Sequence, residues 1–223
     1  MLLAFDTSTS WISLALYDGV FIRYETTWQS QQHHTVELAP AIQAVYKHTD
    51  ITSKDLTGLA VAVGPGSFTS LRIGLAAVKG LSLALNLPVA GVPTLDVIAK
   101  AQPLDDRPMI AVLQAGRSRL AYALYKVEDG KWKAQDEPGV IDPKDLVKTI
   151  TQPTHICGEL SANDRSTIGR RWKNAILASP SLSLRRAGFL AEIGWERLMN
   201  DQSDDPVTLA PIYLSTSKTP IPK

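Results

Sequence analysis

Gly64-Pro65-Gly66-Ser67-Phe68-Thr69 is the stretch on which the reading of this chain turns. An apolar run, Leu59 to Val63, leads into it and has the length and composition of a buried strand. The glycines permit a tight turn with exposed backbone, and Ser67 or Thr69 can cap the helix predicted to follow, Leu71 to about Ala84. A strand feeding a glycine-rich turn and a helix N-terminus offers backbone N–H groups to an anion. The same unit also reverses the chain in many α/β proteins, so the turn alone leaves both readings standing.

Within that helix Ser70, Gly74, Ala77, Gly80 (or Leu81) and Ala84 recur at spacings of three and four, forming one stripe of small side chains. Glycine inside a helix costs about 1 kcal/mol relative to alanine, so two of them imply that something approaches the backbone closely. The chain's own sheet and a helix of another subunit both fit that description.

At 223 residues the chain is long enough for one large domain or two small ones. Hydrophobic residues make up 44% and charged residues 20%, and the net charge is +1, which gives no global basic footprint for nucleic acid. The single cysteine, Cys157, excludes an intramolecular disulfide and reads as a small buried residue. Met1 leads straight into a strand ending at Asp6, without a signal-peptide pattern, and Arg72 and Lys79 interrupt the longest apolar run. The expectation is a cytoplasmic protein with no membrane partner.

Working outward, the chain divides into two similar halves around Gln102 to Pro108, a polar segment with two prolines. The first half predicts a strand at Leu2 to Phe5 and a polar loop from Asp6 to Ser10. A hairpin follows, Trp11 to Tyr17 and Val20 to Thr27 around Asp18-Gly19. Next come a helix from about Thr35 to Lys47, with Val36, Leu38, Ala39, Ile42 and Val45 on or near one face, and the strand and helix flanking the glycine turn. A strand at Leu87 to Val92 and a short helix at Leu95 to Ala101 complete it. The second half restarts with Met109 to Leu113, a polar end at Gln114 to Ser118, and a hairpin around Asp129-Gly130. A helix at Asp145 to Ile150 and a strand at Thr154 to Cys157 follow. A helix over Arg185 to Met199 and a Ser-, Thr- and Pro-rich tail from about Tyr213 close the chain. The predicted domains are 1–102 and 103–223. This duplication, with a polar loop after each first strand, is the layout of the actin-like ATPase and sugar-kinase superfamily: α/β, ribonuclease H-like, two lobes with mixed sheets.

In that layout the ends of the two first strands should carry acids that hold a metal or activate water. Asp6, Thr7 and Ser8, with Gly64, Gly66 and Ser67, suit a vestigial nucleotide or anion site, although Asp6 also suits a plain turn cap. The matching position in the second half is Gln114, whose amide cannot act as a carboxylate base. The second glycine-rich element, near Cys157-Gly158-Glu159-Leu160, has one glycine. The predicted cofactor is none, with room for weak ATP or ADP binding. His33 and Glu37 form an i, i+4 pair, but the residue four beyond His34 is Leu38, so the two-histidine helix motif of a metal site is missing. Ser67 lies outside a Gly-x-Ser-x-Gly elbow. No metal site and no catalytic residue are predicted.

Five segments carry a resemblance. GPGSFTSLRIG (Gly64 to Gly74), LLAFDTSTS (Leu2 to Ser10), HTVELAP (His34 to Pro40), GVPTLDVIA (Gly91 to Ala99) and PIYL (Pro211 to Leu214) resemble the bacterial TsaB family, also called YeaZ. They cover the first half densely and the rest thinly. The resemblance implies a non-catalytic partner of TsaD, its paralogue, in forming N6-threonylcarbamoyladenosine at adenosine 37 of tRNAs that read codons beginning with A. It implies a TsaB–TsaD heterodimer, a homodimer when TsaD is absent, an ATPase, TsaE, that binds the pair, and tRNA contact mainly through TsaD. Carried onto this chain, the dimer helices are Thr35 to Lys47 and Leu71 to Ala84. The expected interface residues are Leu38, Ile42, Ser70, Leu71, Gly74, Ala77, Val78, Gly80 and Leu81. TsaD's second metal-binding histidine is replaced by Leu38. The chain departs from the family pattern at Ser70, at Gln114-Ala115-Gly116 and at Ser215. The competing readings are an independent nucleotide-binding ATPase or kinase of the actin-like fold, resting on Asp6 and the glycine turn, and a peptidase, which has neither a metal dyad nor a Ser/His/Asp grouping.

Overall fold

The structure is a computed structural model that describes residues 1–31, 33–116, 119–170 and 173–214. The departure at Ser215, and most of the predicted tail, lie outside the described residues.

The first unit is built on five strands: β1 (Leu2–Asp6), β2 (Trp11–Tyr17), β3 (Ile22–Gln29), β4 (Gly58–Gly64) and β5 (Val89–Pro93). Their order is β3-β2-β1-β4-β5, with β1 antiparallel to β2 and parallel to β4. Every residue of β1 and β4 is buried, as expected for central strands covered on both faces. Alternation then decides what each side chain meets. Leu3, Phe5, Leu14 and Leu16 pack with Leu38 and Val45 of α1 (His34–Thr49) and Leu75 and Val78 of α2 (Phe68–Leu85). On the other face Leu2, Ala4, Ala15, Ala60 and Ala62 meet Ala187, Leu190 and Ala191 of a helix far away in sequence, Ala187–Met199.

That helix corrects the predicted boundary between 102 and 103. The first unit is Met1–Val97 together with Arg186–Ile212, and the second is Ile98–Arg185. The cause is the second apolar face of the first sheet: α1 and α2 cover one face only, and the late helix supplies the missing cover. The small side chains on both sides of that contact allow close approach. A Cβ on Gly194 would touch the Cβ of Ala60.

The second unit has β6 (Met109–Gln114), β7 (Leu120–Glu128), β8 (Lys131–Ala134), β9 (Gly139–Ile141), β10 (Thr154–Gly158) and β11 (Ala175–Leu177). Its order is β11-β10-β6-β7-β8, with β9 pairing β7. Here β6 is antiparallel to β7 and parallel to β10, so it takes the place that β1 has in the first unit. The duplication read in the sequence is therefore present as a repeated strand order. Leu146 of α4 (Pro143–Thr149) and Ile168 of α5 (Ala162–Gly169) pack on Ile110, Val112 and Ile156. The sequence reading missed α5, β9 and β11. The short α3 (Thr94–Lys100) spans the boundary between the units, and the late helix is α6.

By length and composition α2 is apolar enough to cross a membrane, which corrects the expectation that Arg72 and Lys79 break the run too early. Its buried residues Leu71, Leu75 and Val78 pack it as a core helix on the sheet.

Candidate functional site

The residues proposed for an anion site do come together. Asp6 is fully buried, and its Oδ1 accepts the Ser8 N–H at 2.9 Å. Thr7 Oγ1 donates to Ser70 O at 2.8 Å, and Ser8 and Thr94 share a hydroxyl–hydroxyl bond of 2.9 Å. Thr94 Oγ1 accepts the Gly64 N–H at 3.1 Å, and the Ser67 N–H donates to Ser8 O at 2.7 Å. That last bond brings the two loops so close that a Cβ on Gly66 would overlap the Ser8 carbonyl. Gly64 sits at φ 110°, in the region that favours glycine. Of the two predicted caps for α2, Ser67 is the one used: its Oγ accepts the Ser70 N–H at 3.5 Å and the Ser70 hydroxyl at 3.0 Å. The loop after β1, the glycine turn and the starts of α2 and α3 are thus laced to one another, and these donors and acceptors serve the fold.

The corresponding place in the second unit is also structural. Gln114 Nε2 donates to Asp164 Oδ2 at 2.7 Å, and that oxygen accepts Ser161 Oγ at 2.6 Å. Ser161 in turn caps α5 by accepting the Asp164 N–H at 3.1 Å. The Ser161-x-x-Asp164 spacing is a readable helix-start signal. It was missed because the helix behind it is polar and gives little apolar period. Burial pushes the Cys157 thiol far above its usual range.

The histidines and acids near α1 are tied locally. Buried His34 bonds Thr9 O through Nε2 at 2.8 Å, and Glu37 accepts the Trp28 indole N–H at 2.8 Å. That hydrogen bond holds the Glu37 carboxyl below its usual range. Among the described residues no three His, Cys, Asp or Glu side chains gather as metal ligands would.

An open feature of the first unit is a groove of about 450 Å³ between α1 and α2. Thr35, Leu38, Ala39 and Ile42 line it from α1, and Phe68, Thr69, Arg72, Ile73, Ala76 and Ala77 from α2. Its lining is apolar apart from two threonine hydroxyls and Arg72, whose guanidinium lies 3.6 Å from the Phe68 ring centre. Phe68 remains 53% exposed at the mouth of this groove.

The expected interface residues divide between two environments. Leu38, Ile42 and Ala77 line the groove, and Gly80 lies on the open face with nothing within 4 Å of where its Cβ would be. Ser70, Leu71, Gly74 and Val78 are buried within the first unit, and half-buried Leu81 packs against the same core. Placing Gly74 on a partner-facing stripe is corrected: a Cβ there would overlap Thr7 Oγ1, so its small size serves the chain's own packing. The outward stripe is Phe68, Arg72, Ala76 and Gly80, at spacings of four. Its period was legible, but its mixed chemistry concealed it.

The family model for TsaD, described as tRNA N6-adenosine threonylcarbamoyltransferase, matches residues 28–175. The TsaB protein of Escherichia coli is 30% identical over 177 residues, which cover 77% of this chain and 72% of that protein. TsaB of Bacillus subtilis is 31% identical over 131 residues, and TsaB of Buchnera aphidicola from Schizaphis graminum is 37% identical over 100 residues. These two alignments span about half of those relatives' lengths, 56% and 47%. The solved structure of YeaZ from Pseudomonas aeruginosa superposes with a TM-score of 0.79 over 96% of this chain and 99% of that one, at 22% identity. The fold is the duplicated actin-like one, shared more distantly with component A of the Acidaminococcus fermentans (R)-2-hydroxyglutaryl-CoA dehydratase, at a TM-score of 0.54 over 89% of this chain and 98% of that one, with 11% identity. With two thirds of its length matched by the TsaD family model and more than two thirds of the Escherichia coli protein aligned to it, this chain belongs to the TsaB (YeaZ) family.

Proposed function

We propose that this chain is a non-catalytic docking subunit in tRNA threonylcarbamoyladenosine biosynthesis, seating a TsaD-type transferase on the groove between α1 and α2. The observation that carries this reading is the groove itself: an exposed apolar cleft on two helices, beside a polar loop whose hydroxyls are engaged with one another. The names of the relatives support the pathway, and the TsaD family match supports a paralogue as partner, because related helices present related faces.

The division of labour follows from chemistry. Transfer of a threonylcarbamoyl group to adenosine 37 needs a metal or a polarising donor set, which the TsaD-type subunit supplies. This chain contributes apolar area and shape, holds no cofactor of its own, and meets tRNA through its partner in the cytoplasm. A TsaE-type ATPase binds the assembled pair. Burying apolar groove surface contributes roughly 25 cal/mol per Å² before the costs of association.

The test is reconstitution of the modified base from purified TsaD-, TsaE- and TsaC-type proteins with tRNA. Omitting this chain should abolish product, and this chain alone should make none. Ala76→Trp, an exposed groove position, should leave the fold intact and remove both heterodimer and product. Full activity without this chain sinks the proposal.

A further inference from the structure

The face that α1 and α2 present is apolar in its groove and one-sided in charge. Over the two helices the chain carries Lys47, Arg72 and Lys79 against a single carboxylate, Glu37. Glu37 serves another place: its Oε2 accepts the Trp28 indole N–H at 2.8 Å, and together they line a separate pocket between β3 and α1. Lys79 Nζ donates to Val207 O at 3.2 Å. Among the described residues that line the α1/α2 groove, Arg72 is the one charged side chain.

Arg72 is exposed, and its guanidinium has a fixed seat over the Phe68 ring, 3.6 Å from the ring centre. That is a stacking distance. A stacked guanidinium keeps its five N–H donors in plane, in a rigid fork. A carboxylate can therefore take two of them side by side while Arg72 keeps the ring and its other contacts on this chain.

Docking on this groove takes Arg72 out of water. A guanidinium closed into an apolar interface is strongly disfavoured unless an acid meets it there. A second copy docking through the same two helices would bring another Arg72 toward the first. Its only carboxylate on those helices is Glu37, which is held by Trp28.

We propose that the TsaD-type partner carries an aspartate or glutamate on its apolar docking face, that this carboxylate forms a bidentate pair with Arg72, and that the pair makes the groove select this partner over a second copy. Phe68 is the platform that holds the guanidinium in place for it. The proposal rests on the docking reading given above and adds to it the chemistry of the partner's surface and the residue that sets the choice.

The test measures two affinities for each variant of the full chain. Titration calorimetry reads binding to the TsaD-type partner, and light scattering over a concentration series reads self-association. Arg72→Met keeps the length of the side chain and its helix propensity while removing the charge, so it should stay folded by circular dichroism. It should weaken partner binding about tenfold or more and leave self-association at or above the wild-type level. Arg72→Lys keeps the charge without the planar fork and should fall between the two. Arg72→Glu should bind the partner more weakly still, and changing the partner's docking-face acids to lysine one at a time should restore its binding at one of them. Partner binding by Arg72→Met within about twofold of wild type overturns the proposal. Equal weakening of both affinities does so too, because Arg72 would then only pack. So does failure of every lysine change in the partner to rescue Arg72→Glu. A wild-type chain that does not bind the TsaD-type partner at all sinks the docking reading itself, and this proposal with it, so the wild-type titration tells the two failures apart.

Discussion

Thr7 Oγ1 occupies the space that a Cβ on Gly74 would need, and the same hydroxyl donates to Ser70 O at 2.8 Å. The loop after β1 is thereby pressed onto the first turns of α2. Gly74→Ala should destabilise the fold by about 1–3 kcal/mol through overpacking, and Gly74→Leu by more. Urea unfolding followed by circular dichroism measures this. A Gly74→Leu variant as stable as the wild type would show that Thr7 can move aside at little cost.

Gly80, six residues on and on another face of α2, makes the opposite case. Nothing lies within 4 Å of its would-be Cβ, so Gly80→Ala should stabilise the isolated chain by up to about 1 kcal/mol through helix propensity. Gly80→Leu should keep the fold and impair docking of the TsaD-type partner, read as loss of co-elution. Normal docking of Gly80→Leu would confine the interface to the groove nearer Phe68.

Helix α6 has no side-chain cap from its own N-cap residue, Arg186. Two residues remote in sequence cap it: Ser13 Oγ accepts from Ala187 N at 2.8 Å, and Glu25 Oε1 from Gly188 N at 2.7 Å. Glu25 also pairs with Arg186. Glu25→Ala should cost about 0.5–2 kcal/mol, as lost caps do, and Glu25→Gln less, because the amide oxygen can still accept. Chemical denaturation of the two variants, compared with Ser13→Ala, checks this ranking.

Asp105 sits in the segment between the halves, where Arg107 donates to it from Nε at 2.7 Å and from its backbone N–H at 2.8 Å. His155 Nε2 lies 3.2 Å from its other oxygen. The Arg107 hydrogen bonds hold the Asp105 carboxyl well below the usual carboxylate range. A depressed folded-state pKa means that the unfolded chain binds the proton more readily. The contribution is therefore complete above the ordinary carboxylate range near 3.8 and is lost as the pH falls below it. Asp105→Asn should lower Tm at neutral pH, with a difference from wild type that shrinks as the pH falls from about 4 toward 2. A difference constant across that range would assign the loss to geometry instead of charge.

Most of the elements were legible because their signals are local. The β4–turn–α2 unit, the two Asp-Gly hairpins and the restart at Met109 follow from apolar runs, turn residues and repetition. What escaped is equally particular. Helix α5 is polar, and β9 and β11 are three-residue strands whose stability comes from pairing with β7 and β10. The loop residues Asp6 to Ser8 and Gly64 to Ser67 lie side by side, but their engagement with one another is a matter of distances that no string of residues records.

The sequence by itself determined the duplicated strand–hairpin–helix order, the small residues of α2 and the family to which the chain belongs. Periodicity and turn chemistry act within a few residues, so they survive in one dimension. Only the tertiary structure decided that Gly74 faces Thr7 while Gly80 faces open space, and that α6 returns to cover the first sheet. Small side chains suit any close neighbour equally well. Which neighbour arrives depends on which apolar face remains uncovered once the rest of the chain has packed.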